Sequence, residues 1–237
     1  MKALVLLSGG IDSSTCLAMA VDKYGKNNVV ALSALYGQKH TKELIAARKI
    51  ANYYGIEHLE IDLAKIFSYS NCSLLSHSNK EIPHSTYAEQ LKEADTVSTY
   101  VPFRNGLFLS TAASIALSKD CDILLYGAHS DDAAGSAYPD CSQAFNDAIN
   151  LAIYEGSGKK LKVEAPFVNL HKKDIVKKGL ELKVPYELTW SCYEGQKYSC
   201  GRCGTCIDRE KAFILNGEID PLVKIREGEI KWENLII

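Results

Sequence analysis

The chain has 237 residues, of which 46% are hydrophobic and 24% charged, and its net charge at neutral pH is −2. This length and composition suit one α/β domain, or one domain with a small appendage, that buries a hydrophobic core. The lack of a basic excess argues against a large nucleic-acid-binding surface. No apolar run approaches the length of a membrane-spanning helix. We see no secretory signal and therefore expect a cytoplasmic protein.

Strands and helices are predicted to alternate from the first residues onward. Gly25 and Gly55 each follow a segment with helical periodicity, and glycine at such a position typically ends a helix. The order βαβαβ is typical of a parallel, doubly wound sheet. The predicted elements are a strand at residues 2–7, a helix at 12–24, a strand at 29–35, a helix at 38–54 and a strand at 58–61.

Residues 71–97 interrupt this alternation, since they are rich in Ser, Asn and His and poor in large apolar residues. A long irregular segment inside a compact domain is usually a functional lid or a disordered loop. The remaining pattern gives no clear prediction for residues 219–237. The predicted elements between these segments are helices at 105–117, 142–154, 171–182 and 208–215 and strands at 123–126 and 161–165.

The first predicted strand is followed by the sequence SGGIDSS, which begins at Ser8. Gly9 and Gly10 would let backbone N–H groups approach an anion, and Ser13 adds a hydroxyl near a helix N-terminus, where the dipole favours phosphate. Asp12 could cap that helix or hold Mg²⁺. The loop has no lysine of the kind that a Walker loop requires. The alternative is an ordinary strand-to-helix turn with Asp12 or Ser13 as the N-cap.

Four of the eight cysteines lie close together, at Cys192, Cys200, Cys203 and Cys206. Two turns of Cys-x2-Cys with a fourth thiolate from upstream suit a structural Zn²⁺ with a closed ligand shell, one per chain. An iron–sulfur cluster is the alternative, although the closing Cys-Pro of bacterial ferredoxins is missing. Unliganded cysteines are a third possibility, which the crowding of four thiols disfavours.

The sequence SGGIDS resembles the PP-loop of the ATP pyrophosphatases. The resemblance implies that ATP is bound by its pyrophosphate and cleaved between the α and β phosphates, so that a substrate oxygen becomes an adenylate. Together with the cysteine cluster, the segments LYGQKH, VPFRN and GAHSDDAAGSAYPDC resemble, in this order, the 7-cyano-7-deazaguanine synthase family, which acts in the pathway to the tRNA base queuosine.

This resemblance implies a fold, a reaction and partners. The fold is a doubly wound parallel sheet, a Rossmann-like adenine nucleotide alpha hydrolase fold, at residues 1–185, with a zinc-binding segment at 186–237 packed on it. The reaction converts 7-carboxy-7-deazaguanine and ammonia to 7-cyano-7-deazaguanine (preQ0) through adenylated acid and amide intermediates. Zinc and ATP with Mg²⁺ are the implied cofactors. We expect a homodimer that binds neither membrane nor nucleic acid and takes ammonia from solution or from a partner.

Three sets of site residues follow from the resemblance and from the chemistry that it requires. The ATP-binding residues are Leu7, Ser8, Gly9, Gly10, Ile11, Asp12, Ser13, Ser14, Thr15, Cys16 and Leu17. The catalytic residues are Asp12, Arg104 and Asp132. The substrate-binding residues are Gln38, Arg104, Tyr138 and Asp140.

The proposed catalytic and substrate-binding residues outside the glycine-rich sequence each have an alternative interpretation. Arg104 could bind phosphate or carboxylate bidentately, or it could form a surface salt bridge. Asp132 could hold Mg²⁺ together with Asp131, or both could serve turns and helix caps. Asp140 could accept two hydrogen bonds from the guanine-like edge while Tyr138 stacks on the ring, or it could cap the helix that begins near residue 142.

Several features stay open at this point. The roles of five residues beside predicted strand ends or motifs are undecided: Lys39, His40, His129, Asp131 and Cys141. The main alternative function is another PP-loop enzyme, such as a tRNA thiolase or an amidotransferase. A zinc-knuckle nucleic-acid binder without catalysis is a weaker alternative, because it does not explain the glycine-rich sequence after the first strand.

Overall fold

The computed structural model describes residues 1–92 and 96–230 of the chain. Five strands form one parallel sheet in the order β3-β2-β1-β4-β5. The predicted α/β class with a doubly wound parallel sheet is therefore confirmed. The strands are β1 (Ala3–Leu6), β2 (Val29–Leu35), β3 (Glu57–Asp62), β4 (Ile123–Leu125) and β5 (Lys162–Glu164).

Strand β1 is the centre of the sheet. Its residues Ala3, Leu4 and Val5 are fully buried, as expected for a parallel strand that is covered on both faces. Ala3 lies opposite Val29 of β2 on one side and opposite Ile123 of β4 on the other. The chain runs outward from β1 to β3 and then returns to the other side of β1. Open α/β sheets bind ligands at such a switch point, at the carboxyl ends of the strands.

Ten α-helices lie within the described residues, and the longer ones cover both faces of the sheet. None of these helices has the length and hydropathy that crossing a bilayer requires. They are α1 (Ile11–Tyr24), α2 (Lys42–Tyr54), α3 (Ala64–Phe67), α4 (Tyr87–Gln90), α5 (Arg104–Ser118), α6 (Ser130–Ala133), α7 (Gln143–Gly156), α8 (Lys172–Glu181), α9 (Gly204–Ile214) and α10 (Pro221–Arg226).

The sheet separates two hydrophobic cores. Helices α1, α2, α8 and α9 contribute to the core on one face, with Ile11, Ile50, Ile175 and Phe213 all buried in it. Helices α5 and α7 contribute to the core on the other face, where Leu109 is buried. This three-layer arrangement fixes the N-termini of α1, α2, α5 and α8 near one edge of the sheet.

Two predicted helices begin at different residues in the structure. Helix α2 begins at Lys42 rather than at residue 38, because Gln38 forms an isolated antiparallel bridge with Leu75. Helix α9 begins at Gly204 rather than at residue 208, because Cys203 is already its N-cap. Both starts were wrong because hydrophobic periodicity does not mark the first residue of a helix. It shows neither the bridge that Gln38 forms with Leu75 nor the position of Cys203 as an N-cap.

The two segments that the sequence left unclear each contain a short helix. Helix α4 lies in residues 71–97 and begins with a capping box between Thr86 and Glu89. Helix α10 lies in the tail. Residues 93–95 of the first segment and 231–237 of the tail fall outside the described residues.

Arg209 connects the C-terminal elements to one another. Its guanidinium is 1% exposed and donates to both carboxylate oxygens of Asp220, at 2.7 and 2.9 Å, and to Thr189 Oγ1 at 2.8 Å. Both charges are buried, and removing one partner would leave the other uncompensated. Phe213 of α9 packs in the same core as α1. The proposed division of the chain at residue 185 stays a prediction.

Candidate active site and metal centre

A cavity of about 230 Å³ lies at the carboxyl ends of β1, β2 and β4, next to the N-termini of α1, α2, α5 and α8. It is therefore at the switch point of the sheet. Predicted site residues on its wall are Leu7, Ser8, Gly10, Asp12, Ser13, Gln38, Arg104 and Asp132. Residues on its wall that the sequence did not predict are Tyr36, Glu43, Tyr87, Phe108, Tyr126, Lys172, Trp190 and Tyr193.

The glycine loop (residues 8–13) adopts a backbone that only glycine permits. Gly9 has φ +86°, and a Cβ atom there would lie 2.3 Å from the carbonyl oxygen of Glu43 and 2.6 Å from the backbone nitrogen of Ala47. A side chain at this position would collide with helix α2. The glycine therefore brings the loop directly against the first turns of that helix.

The N-terminus of α1 is open toward the cavity. Gly10 is the N-cap, and no side chain caps the helix, so its first N–H groups remain available for an anion. Ser13 Oγ lies 3.0 Å from Ser8 Oγ and accepts a hydrogen bond from the Ser8 N–H at 3.2 Å, which holds the loop in a tight curve. The predicted alternative, in which Asp12 or Ser13 is the N-cap, is not observed.

The last residues of the predicted ATP-binding set lie behind the loop. Thr15 Oγ1 donates to the Ile11 carbonyl oxygen and is 2.8 Å from Tyr186 Oη, while Cys16 and Leu17 are fully buried in the core. Five α1 residues of the predicted ATP-binding set are therefore absent from the cavity wall: Ile11, Ser14, Thr15, Cys16 and Leu17. Their contacts fix α1 against its neighbours, so they support the loop from the core side.

A charged cluster surrounds the first turn of α1. Lys172 Nζ is 3.3 Å from Asp12 Oδ2, and His129 Nε2 is 3.3 Å from Asp132 Oδ2 and 3.7 Å from Asp12 Oδ2. Burial alone would lower the pKa of Lys172, but Asp12 and Asp132 outweigh it and raise that pKa, so the ammonium group stays charged. Asp12 Oδ1 is buried and has no hydrogen-bond partner among the described residues.

Asp131 and Asp132 have separate surroundings although they are adjacent. Asp131 Oδ2 accepts a hydrogen bond from the Lys172 N–H at 2.8 Å, and its Oδ1 is 2.7 Å from His171 Nδ1. Asp131 therefore caps the N-terminus of α8. Asp132 is on the cavity wall. The sequence suggested the same role for both carboxylates, whereas in the structure only Asp132 faces the cavity.

Arg104 is the first residue of α5, and its guanidinium lies on the cavity wall, 5.1 Å from the centre of the Tyr36 ring. No hydrogen bond or ion pair to this guanidinium occurs within the described ranges. Burial alone would lower its pKa, but Tyr36, Tyr193, Tyr138 and Asp140 raise it. The guanidinium is thus half-buried at the cavity with no ion pair among the described residues, which differs from the surface salt bridge given as the alternative.

Asp140 lies behind Arg104 rather than on the wall. Its Oδ2 accepts a hydrogen bond from the Asn105 N–H at 2.8 Å, at the N-terminus of α5, and burial raises its pKa. Ser142, whose Oγ accepts from the Phe145 N–H, is the cap of α7. The alternative in which Asp140 caps α7 is therefore wrong, because that carboxylate serves α5 instead.

Tyr138 and Gln38 are both held by neighbours. Tyr138 Oη is 2.6 Å from Thr99 Oγ1 and 3.4 Å from Tyr193 Oη, and Tyr193 rather than Tyr138 is on the cavity wall. Gln38 is on the wall, and its Oε1 accepts a hydrogen bond from the Tyr36 N–H at 2.9 Å. Its amide nitrogen is the group left for a ligand.

The sequence did not single out Glu43 or Lys172, although a signal was present. Each lies in the first turn of a helix that follows a strand of the parallel sheet, and the glycine loop likewise lies between β1 and the first turn of α1. Ligand-binding groups in open α/β sheets concentrate at these connections. A search of every strand-to-helix connection for charged side chains would have found both residues.

The four clustered cysteines converge on one point. Their Sγ atoms all lie within 4.8 Å of one another, and three of the four residues are buried. Cys192 Sγ accepts from the Cys200 N–H at 3.3 Å, and Cys200 Sγ accepts from the Cys203 N–H at 3.3 Å. Backbone N–H groups that face sulfur stabilise thiolates, so this donor set fits a metal ion that prefers four thiolates.

The surroundings of Cys141, Lys39 and His40 give none of them an evident catalytic role. Cys141 is on the cavity wall, but burial raises the pKa of its thiol well above the usual value, so it is not a ready nucleophile. Lys39 Nζ donates to the Lys80 carbonyl oxygen at 2.8 Å. The ring of His40 packs against Gly195, where a Cβ atom would lie 2.4 Å from two of its carbon atoms.

One protein family matches the chain along nearly its whole length. Residues 2–217 match the family model described as queuosine biosynthesis protein QueC. The chain is similar to the 7-cyano-7-deazaguanine synthase of Archaeoglobus fulgidus, with 43% identity over 100% of this chain and 94% of the relative. It is similar to the protein of the same name in Thermoplasma volcanium, with 39% identity over 99% and 95% of the two chains.

Two solved structures share the fold at low identity. NMN synthetase from Francisella tularensis has a TM-score of 0.50 and 18% identity, covering 98% of this chain and 84% of that one. The U34-tRNA thiolase NcsA from Methanococcus maripaludis, solved with its 4Fe–4S cluster, has a TM-score of 0.51 and 18% identity, covering 99% and 72%. These likenesses support the fold alone.

Proposed function

The chain belongs to the family of the queuosine biosynthesis protein QueC, and on that basis we propose that it is a carbon–nitrogen ligase that makes 7-cyano-7-deazaguanine. Its substrates are 7-carboxy-7-deazaguanine, ATP and ammonia. ATP adenylates the carboxylate, ammonia displaces AMP to give the amide, and a second adenylation of the amide oxygen allows the nitrile to form. The full-length identity of 43% to a relative of that name carries the proposal.

The glycine loop is the proposed site of the ATP phosphates. Its backbone N–H groups and Ser13 hydroxyl face the same cavity as Lys172, which supplies the charge that a Walker lysine would otherwise provide. Asp12 and Asp132 are the carboxylates on the cavity wall that would hold Mg²⁺, and the unpartnered Asp12 Oδ1 fits that role. A magnesium ion held by these carboxylates would supply positive charge beside the ATP phosphates.

Arg104 is the proposed partner of the anion that reacts. Adenylation passes through a highly charged phosphorus centre, and a half-buried guanidinium that forms no ion pair among the described residues is available to stabilise it. Gln38 would contact the substrate through its amide nitrogen. Tyr138 and Asp140 act from behind the wall, where they hold Tyr193 and the N-terminus of α5 in place.

The four cysteines are proposed to bind one zinc ion per chain. A closed shell of four thiolates is the usual structural zinc site, and the metal would stabilise the segment that follows residue 190. An iron–sulfur cluster, which four cysteine thiolates can also hold, is the alternative. The colour of the purified protein and its metal content decide between them.

The remaining parts of the proposal concern organisation. We propose a catalytic domain at residues 1–185, a zinc-binding segment at 186–237, a homodimer in the cytoplasm and free ammonia as the nitrogen source. Sedimentation measurements test the dimer. Limited proteolysis at the boundary tests the division, since a linker between two units is cut before either unit unfolds.

Mass spectrometry tests the proposed reaction. The protein is mixed with ATP, ammonium and 7-carboxy-7-deazaguanine, and we expect the nitrile to form with two AMP and two pyrophosphate for each molecule. Formation of ADP and phosphate in place of AMP would contradict the proposed role of the glycine loop. Thiolation of a tRNA without nitrile formation would favour a thiolase.

A further inference from the structure

Three carboxylates line the cavity among the described residues: Asp12, Glu43 and Asp132. Asp12 contacts Lys172, and both Asp12 and Asp132 contact His129. Glu43 differs, since none of the hydrogen bonds and ion pairs of the described residues involves its side chain. It is thus the carboxylate on the wall for which no ion pair occurs in the part of the chain that the structure describes.

Glu43 lines the same cavity as the glycine loop and Arg104. Its carbonyl oxygen is so close to Gly9 that no side chain fits there, which puts this first turn of α2 directly beside the proposed phosphate site. Its carboxylate also interacts electrostatically with Arg104, the residue proposed to contact the reacting anion. A group bound to Glu43 would therefore be next to the bond that forms and breaks.

The charged surroundings of Glu43 come from three elements. Arg104 of α5 lowers its pKa, Cys192 of the C-terminal segment raises it, and Lys42 precedes it on its own helix. Burial is the largest influence and raises the pKa to about 7. A carboxyl group with a pKa in this range can take up and release protons at neutral pH.

We propose that Glu43 binds ammonium beside the acyl adenylate and accepts its proton, so that free ammonia is released at the reacting carbon. The inference rests on the proposed ligase function and adds a residue to it. Ammonium is the main form of this substrate at neutral pH, and it has no lone pair with which to attack. A carboxylate without a protein partner is the group that a small cation would occupy.

Amide formation begins with this proton transfer. One N–H bond of ammonium breaks, and its proton moves to the Glu43 carboxylate. The nitrogen lone pair then forms a C–N bond to the acyl carbon, and the C–O bond to AMP breaks, with the electron pair leaving on the phosphate oxygen. The nitrogen releases a second proton to water, and Glu43 later returns the first one to solvent. The products are the amide, AMP and two protons.

Hydroxylamine provides the test, because it is mostly neutral at pH 8 and attacks without first losing a proton. In Glu43→Gln, we expect kcat/KM for ammonium to fall about 100-fold or more, while hydroxamate formation from hydroxylamine falls less than about threefold. Glu155→Gln, the same change at an exposed position of α7, is the matched control. The wild-type protein is measured with both nucleophiles in parallel.

Three outcomes would overturn the inference. Wild-type use of ammonium by Glu43→Gln would show that the carboxylate is not needed. An equal loss with both nucleophiles, or a weaker affinity for the carboxylic acid, would mean that Glu43 contacts the acid or ATP instead. If Glu43→Gln does not fold, Glu43→Asp decides: a loss with ammonium alone supports the inference, and equal losses refute it.

The pH profile is an independent measurement. With saturating ammonium, the wild-type rate should rise as the pH passes through about 7 and then level off. The Glu43→Gln rate should instead keep rising with the fraction of free ammonia, and the same profile in both proteins would contradict the proposal. Failure of the wild-type protein to form a nitrile would refute the proposed function, which separates that failure from the failure of this inference.

Discussion

The backbone N–H of Trp190 donates a hydrogen bond of 2.8 Å to the carbonyl oxygen of Gly9. The indole Nε1 of the same tryptophan donates to the carbonyl oxygen of Cys192 at 2.8 Å. Trp190 is 1% exposed and packs in one core with Cys192, Cys203 and Ala46 of α2. One buried side chain thus connects the cysteine cluster to the glycine loop, so the proposed metal site and the proposed phosphate site share part of their support.

Loss of a cysteine ligand should weaken both sites. We expect Cys203→Ser to lose the metal and to lower the free energy of unfolding by several kcal/mol, because three thiolates and a hydroxyl no longer close the shell. ATP should then raise the melting temperature less than in the wild type, since Trp190 holds Gly9 less firmly. Metal analysis and thermal melts with and without ATP measure these effects.

Cys121→Ser is the control for this experiment, since Cys121 is also buried but lies outside the cluster. It should keep one metal ion per chain and the full response to ATP. Equal metal content in the two variants would mean that Cys203 is not a ligand. A brown protein that contains iron would move the metal assignment from zinc to an iron–sulfur cluster.

Gly9 of the glycine loop can be compared with Gly25, which has a similar φ angle but lies after α1. Gly9 has φ +86° and Gly25 has φ +78°, but a Cβ atom collides with α2 at Gly9 and meets nothing within 4 Å at Gly25. Gly25→Ala should cost about 1–3 kcal/mol of stability, because its φ of 78° and ψ of 144° lie in a region that residues other than glycine rarely adopt. Gly9→Ala should cost more and should also abolish the stabilisation by ATP.

Chemical denaturation of both variants measures the free energy of unfolding, and titration with ATP measures the affinity for the nucleotide. A larger loss of stability at Gly9 would report the collision with α2, since both substitutions also place a side chain at a positive φ. If Gly9→Ala binds ATP as the wild type does, the close approach of the loop to α2 is not needed for the phosphates.

Local motifs could be predicted from the sequence because their chemistry is contained in a short stretch. The cysteine ligands are all within one segment, and two glycines followed by Asp12 and Ser13 already require an unusual turn beside a helix start. The parallel sheet could be predicted for the same reason, since each strand and each helix has its own periodicity. The fold class and the convergence of the four cysteines needed no long-range information.

The surroundings of single side chains could not be predicted, because partners distant in the chain determine them. The Asp140 carboxylate accepts a hydrogen bond from the backbone N–H of Asn105, which is 35 residues away in the chain. Asp131 is occupied by His171 and by the N–H of Lys172, about 40 residues away. Only the fold shows that these two carboxylates are used internally while Asp132 remains at the cavity.

Arg104→Lys tests the proposed anion contact. Lysine keeps the charge but loses the planar pair of donors that matches a carboxylate or phosphate. We expect kcat/KM for the carboxylic acid to fall about 10- to 100-fold, which corresponds to the loss of a charge-assisted hydrogen bond, with little change in ATP affinity. Arg48→Lys, at an exposed ion pair with Glu60, is the control and should behave as the wild type. Equal activity in both variants would exclude a bidentate contact.

Asp131→Asn and Asp132→Asn separate stability from catalysis at adjacent positions. Burial raises the pKa of Asp131, but hydrogen bonds from the Lys172 N–H and from His171 outweigh it, so the net pKa is lowered. Such a carboxyl group stabilises the fold above its unfolded pKa of about 3.9, and this stability is lost as the pH falls through the folded value. We therefore expect Asp131→Asn to cost about 1 kcal/mol at pH 7, as loss of a helix cap does, and less near pH 3. Asp132→Asn should leave unfolding nearly unchanged and lower nitrile formation about 100-fold. Denaturation at the two pH values and the nitrile assay measure both effects, and similar losses of activity in the two variants would contradict the separate roles.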